Sequence, residues 1–212
     1  MKTRGTNIKM EKSIIATYLK EIENQLSTCR ATEHSYRPAL KLLIESLGNN
    51  ITATNDPKRE RCGAPDYIIS RRHIPLGYIE AKDIGKSLDE VEESEQMHRY
   101  LEGLNNLILT DYLEFRWYVD GKKRLCIQIG RIDEKGKVRL EKDRENDFVK
   151  LLKSFFTVEK PVIAGPKDLA ARMAAMAKII SSITAKTFED EDKGGSLHGQ
   201  LQAFRKVLLH DL

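Results

Sequence analysis

No stretch of this sequence approaches the roughly 20 apolar residues needed to cross a bilayer. The N-terminal MKTRGTNIKMEKS has basic residues but no apolar block behind them, so it is not a secretory signal, and the expected location is the cytoplasm. Cysteine is scarce: Cys29, Cys62 and Cys126 are far apart, odd in number and form no CxxC pair. That argues against a zinc site or a disulfide framework and predicts reduced, mostly buried thiols. There is no G-x-S-x-G nucleophile elbow, no G-x-x-x-x-G-K-[ST] phosphate loop and no internal repeat. His73 and His98 lack metal-ligand spacing, and no glycine-rich S-adenosylmethionine loop or Asn-Pro-Pro-Tyr-type motif is present.

What the chain does have is charge. Of its 212 residues, 40% are hydrophobic and 32% charged, with a net charge of +4. This suits a globular protein with room for one medium domain and an appendage. The net charge permits nucleic-acid binding without demanding it. Its distribution says more: Lys58, Arg59, Arg61, Arg71 and Arg72 form a basic stretch able to track phosphates. Asp89, Glu90, Glu92, Glu93 and Glu95 form an acidic one, expected to be a solvated helix face.

Residues 11–29 read as an amphipathic helix, with Ile14, Ile15, Tyr18, Leu19, Ile22 and Leu26 at helical spacing. Residues 32–47 read as a second, capped by Thr32, stopped by Gly48 and interrupted or restarted at Pro38. The loop NDPKRERCGAPD leads to two short strands, DYIIS from Asp66 and LGYIEAK ending at Lys82, joined by a turn near residues 73–75. Residues 87–102 read as a helix with Ser87 as its cap, and NLILTD, 106–111, as a buried strand. FRWYVDG and KRLCIQIGRID flank a hairpin turn at Asp120–Gly121. A short segment at 137–140 and a helix at 145–157 follow. Beyond the connector EKPVIAGPKD come an alanine-rich helix at 167–186, a polar loop TFEDEDKGGS and a last helix, LHGQLQAFRKVLLHDL. The order predicts an α/β domain over 1–160 and a helical extension over 161–212.

Chemistry concentrates in G-Y-I-E-A-K, residues 77–82. Side chains alternate along a strand, so Glu80 and Lys82 share one face. Alone, they read as well as a surface ion pair. Asp66, directly after Pro65 at the start of the preceding strand, comes near Glu80 if the two strands pair. Two carboxylates and a backbone carbonyl suit Mg²⁺, a hard cation. A neighbouring lysine can orient or deprotonate a water. Gln96 and Tyr100 lie one helical turn apart on one face. Glu33 and Arg37 have the same spacing on the earlier helix, where Arg37 can pair with Glu33 or hold a phosphate.

Pro65-Asp66, a spacer, then Glu80-Ala81-Lys82 resembles the PD-(D/E)XK nuclease superfamily, whose αβββαβ core matches the element order above. The Gln-x-x-x-Tyr pattern at Gln96 and Tyr100 resembles that of RecB-like members. With the segment T-E-H-S-Y-R-P-A-L, residues 32–40, the whole looks like the N-terminal endonuclease domain of fused, type IIG-like restriction–modification enzymes. The resemblance covers about 25–160. It implies a restriction-endonuclease-like mixed sheet flanked by helices, and metal ligation (Mg²⁺, with Mn²⁺ able to substitute) by Asp66, Glu80 and the Ala81 carbonyl. It implies water positioning by Lys82, a site shaped by Gln96 and Tyr100, and a first-helix acid near the metals, either Glu33 or Glu45. Arg37, Lys58, Arg59 and Arg61 would contact double-stranded DNA. The extension would lead to adenine methyltransferase and target-recognition domains in a longer chain, and a transient dimer would make double-strand breaks. A stand-alone RecB- or Mrr-like repair or defence nuclease, or a non-catalytic DNA-binding module, are the alternatives.

Overall fold

The computed structural model describes residues 2–28, 30–55, 65–158 and 165–190. Two helices open the chain, α1 (Lys2–Ser27) and α2 (Glu33–Leu47). Three strands follow: β1 (Ile51–Asn55), β2 (Tyr67–Arg71) and β3 (Ile74–Ala81). Helices α3 (Leu88–Glu92) and α4 (Glu95–Gly103) then carry the chain across to β4 (Asn106–Thr110). β5 (Glu114–Val119) and β6 (Lys122–Gln128) complete a six-stranded sheet in the order β1-β2-β3-β4-β5-β6. β3 and β4 are parallel, and every other neighbouring pair is antiparallel. A parallel pair needs a crossover, which α3 and α4 supply. A separate ribbon of β7 (Gly130–Ile132) and β8 (Val138–Leu140) precedes α5 (Glu145–Thr157) and α6 (Pro166–Asp190).

The strand alternation divides the core in two. Tyr67, Ile69, Ile79, Ala81, Ile108, Phe115 and Trp117 point to one face, where they meet apolar residues of α1, α2 and α5. Leu107, Leu109 and Tyr118 point to the other, against Leu88, Val91, Met97 and Tyr100 of α3 and α4 and Ile179 of α6. The register places Glu80 beside Leu109, Leu109 beside Arg116 and Arg116 beside Cys126, so Glu80 lies on this second face, under α3 and α4. Asn106 pins the far end of the sheet: its amide donates to the Leu76 and Phe155 carbonyls, and its oxygen accepts from the Trp117 indole.

Several elements differ from the sequence expectation. α1 begins at Lys2, well before residue 11; Ile8 and Met10 are exposed and, from residue 8 on, the first buried residue is Ile15, so the apolar period registers only further along the helix. β1 was not anticipated; its apolar alternation rests only on Ile51 and Ala53. The helix expected over 87–102 is two, because the Ser94 hydroxyl accepts from the Met97 N–H and starts α4 anew. The long strand from 123 to 133 divides at Ile129 into β6 and β7. α6 runs on to Asp190, into the segment expected to be polar loop. The last expected helix lies outside the described residues, as do Cys29 and Cys62. Cys126 is exposed, not buried, because β6 is an edge strand. Among the described residues no helix is long and apolar enough to cross a membrane.

α6 does not project away from the domain. Ile179 packs on Gly103 at the end of α4, where an added Cβ would lie 2.3 Å from the Ile179 Cδ1. The segment expected as a separate extension thus begins against the helix that carries Gln96 and Tyr100.

Candidate active site

Pairing of β2 with β3 sets the site. Tyr67 stands opposite Ile79, so the preceding Asp66 reaches the end of β3, where its Oδ2 accepts the Ala81 N–H at 2.7 Å. Its Oδ1 accepts from Arg37 Nη2 at 2.6 Å. Glu80 is 3% exposed; its Oε1 accepts from Lys82 Nζ at 2.5 Å. Its Oε2 is buried with no hydrogen-bond partner among the described residues. The Lys82 backbone N–H donates to the Thr110 carbonyl at 2.8 Å, which carries the β3–β4 ladder one residue past β3 and fixes where the lysine leaves the sheet.

The helices close in from two sides. On α4, Gln96 Nε2 donates to the Tyr100 hydroxyl at 2.9 Å, and Tyr100 is buried. On α2, the same Arg37 Nη2 that meets Asp66 lies 2.5 Å from Glu33 Oε1. Two tyrosines hold this part of α2: Tyr112 donates to the Glu33 carbonyl and Tyr67 to the Arg37 carbonyl, each at 2.8 Å. Tyr112 reaches it from a backbone with φ of 72°, a left-handed conformation imposed by the tight turn after β4. Sequence reasoning passed over both tyrosines, whose hydroxyls act on backbone carbonyls 79 and 30 residues away along the chain.

Electrostatics follow from burial. Desolvation raises the Asp66 carboxyl to about 6, against the Ala81 N–H and the Arg37 charge, which favour ionisation. Desolvation and then the charge of Asp66 raise Glu80 to about 7, against Lys82. Burial depresses Lys82, but the charge and hydrogen bond of Glu80 outweigh it, so the ammonium is held above its ordinary value. Burial and then the Glu80 charge raise Tyr100, keeping it a neutral hydroxyl.

The structure therefore brings Asp66, Glu80, Lys82, Gln96, Tyr100, Glu33 and Arg37 together at the carboxyl end of β3. Glu45 is elsewhere, accepting from the Ala53 N–H of β1. Arg37, expected on DNA, is 4% exposed, and its guanidinium is spent on Glu33 and Asp66. Lys58, Arg59 and Arg61 lie outside the described residues. The acidic stretch is no uniform solvated face either: Asp89 and Glu92 grip Arg116, which also binds Glu114, and Glu92 further meets Tyr118 and Lys123. Arg116 is largely buried on the sheet, and that cation draws Glu92 inward while Asp89 meets it from the solvent side.

Among the described residues no group of three His, Cys, Asp or Glu side chains is arranged as a metal cage. One buried and one part-buried carboxylate, with one unsatisfied oxygen, nonetheless fit a hard divalent cation that takes backbone oxygen and water for its other ligands.

No protein-family model matches the sequence, and no curated protein does. Among solved structures, a cryo-EM structure of a DrdV–DNA complex matches with a TM-score of 0.53 and 19% identity. The match covers 70% of this chain and 14% of that one, so the chain spans only a small part of DrdV's length. The likeness is one of fold alone, which in this chain is a six-stranded mixed sheet flanked by helices.

Proposed function

We propose that this chain is a Mg²⁺-dependent DNA endonuclease of the PD-(D/E)XK kind, hydrolysing phosphodiester bonds of duplex DNA. The observation that carries this reading is the carboxylate pair of part-buried Asp66 and buried Glu80, with a Glu80 oxygen unsatisfied among the described residues and Lys82 alongside. Asp66, Glu80 and the Ala81 carbonyl are the proposed ligands, and Mn²⁺ can replace Mg²⁺. When bound, the ion supplies Lewis-acid polarisation of the scissile phosphate and favours ionisation of water near neutral pH.

The protein's own groups do the rest. Lys82, held cationic by Glu80, is suited to orienting the attacking water and offsetting negative charge that builds on the phosphate, rather than to taking a proton. Gln96 and Tyr100 form a neutral, hydrogen-bonded wall on the α4 side. The basic run Lys58, Arg59 and Arg61, between β1 and Asp66, is placed in sequence to track the backbone phosphates leading to the site. The fold shared with a part of DrdV, solved bound to DNA, supports a DNA substrate. The proposed context is the cleavage domain of a bifunctional restriction–modification enzyme, with a stand-alone repair or defence nuclease as the alternative.

Supercoiled plasmid tests the reading. With Mg²⁺ it should be nicked; Asp66→Ala and Lys82→Ala should each lose about 10²-fold or more of the rate, as removal of an electrostatic catalytic group does. Cleavage that survives either substitution would put the chemistry elsewhere. DNA binding with no cleavage at any divalent ion would favour a non-catalytic module.

A further inference from the structure

Arg37 occupies an unusual place for an arginine in a proposed DNA-cutting site. It is 4% exposed, and one nitrogen, Nη2, stands 2.5 Å from Glu33 Oε1 and 2.6 Å from Asp66 Oδ1. An ion bridging these two carboxylates would need that same position, since Mg²⁺ sits about 2.0–2.1 Å from each oxygen. Two-metal nucleases place their ions about 3.5–4 Å apart around a shared carboxylate. Here one flank of Asp66 is already filled by a covalently held cation. The other oxygen of Asp66, Oδ2, accepts the Ala81 N–H at 2.7 Å, and the preceding residue, Glu80, keeps a buried Oε2 with no hydrogen-bond partner among the described residues.

Charge points the same way. With all groups ionised, Glu33, Asp66 and Glu80 face Arg37 and Lys82, leaving one net negative charge. One divalent ion leaves a single positive charge in this largely buried cluster; a second would leave three, with no further described acid paired into it.

We infer that the site takes a single divalent cation, between Asp66 and Glu80, and that Arg37 is a positioning residue holding the place a second ion would need. Glu33 then serves Arg37 and not the metal. This rests on the proposed metal site at Asp66 and Glu80, and it deepens that reading by fixing the stoichiometry.

Mn²⁺ titration of the full chain without DNA, followed by electron paramagnetic resonance of the free ion, reads the stoichiometry directly. The wild type should bind one Mn²⁺ per chain and Glu80→Gln none. Glu33→Gln should still bind one. Arg37→Met, shown folded by circular dichroism, should bind two, and Arg37→Lys should return to one. If Arg37→Met does not fold, Glu33→Gln decides. Two ions in the wild type, loss of the ion in Glu33→Gln, or one ion in a folded Arg37→Met would each overturn the inference while leaving a metal nuclease intact. No Mn²⁺ bound by the wild type would overturn both.

Discussion

Asp66 and Glu80 keep their protons in the fold at pH values where the unfolded chain has released them. Their carboxyls are raised to about 6 and about 7, above the ordinary 3.8 and 4.5. Between roughly pH 4 and 7 the folded chain therefore binds more protons than the unfolded one, and by linkage its stability falls as pH rises through that window. The two groups titrate as a pair, and the loss is of the order of a few kcal/mol. Glu80→Gln carries a neutral isostere of the protonated acid and isolates the effect from other carboxylates. In chelator, the variant should melt above the wild type at pH 8, and the gap should narrow as pH falls and close by about pH 4. A wild type that melts at or above Glu80→Gln at pH 8 would mean the buried charge is not a burden on the metal-free fold. Such a cost is the usual mark of a site kept for binding rather than for stability.

At this scale the sequence was informative where chemistry is local. Glu80 and Lys82 disclosed their shared face through strand alternation alone, though not whether they form a site or a surface ion pair. Arg37 did not, because what decides its role is a carboxylate 29 residues away. From the one-turn spacing, pairing with Glu33 and contact with phosphate were equally open.

Among the elements, the sheet depends on one polar residue at the end opposite the site. Asn106 is fully buried and joins β3, β4, β5 and α5 through three hydrogen bonds. Asn106→Ala strands the Trp117 indole N–H and two carbonyls, and should cost about 3 kcal/mol in urea unfolding. Nicking per folded molecule should persist, since the site lies at the other end of the strands. A loss below about 1 kcal/mol would mean that water or neighbouring groups replace the amide. Elements with a strong apolar period were legible: α5 spans 145–157 as the sequence predicts, because Phe148, Val149, Leu151, Leu152, Phe155 and Phe156 form its buried face. The Asp120–Gly121 turn was legible too, because both residues take positive φ, which Asp-Gly tolerates. β1 and the α3–α4 break were not, since two alternate apolar residues and a lone capping serine are weak signals until tertiary contacts choose among them.

Across the whole molecule, the described residues assemble one cluster of this chemistry, at the carboxyl end of β3. DNA strands run antiparallel, so one such centre presents its attacking geometry to one strand at a time. If the proposed function holds, a double-strand break requires two chains, or two binding events by one. At low enzyme concentration nicked circles should accumulate. At higher concentration, linear product should form with a rate rising more steeply than the first power of enzyme. The steepness should disappear on pre-nicked plasmid at a fixed opposite-strand position, where a single further cut suffices. Linear product appearing without a nicked intermediate, at a rate strictly proportional to enzyme, would mean one chain reaches both strands. That outcome would require a second cutting centre or a large reorientation on DNA, and the Asp66–Glu80 cluster would then account for only half of the reaction.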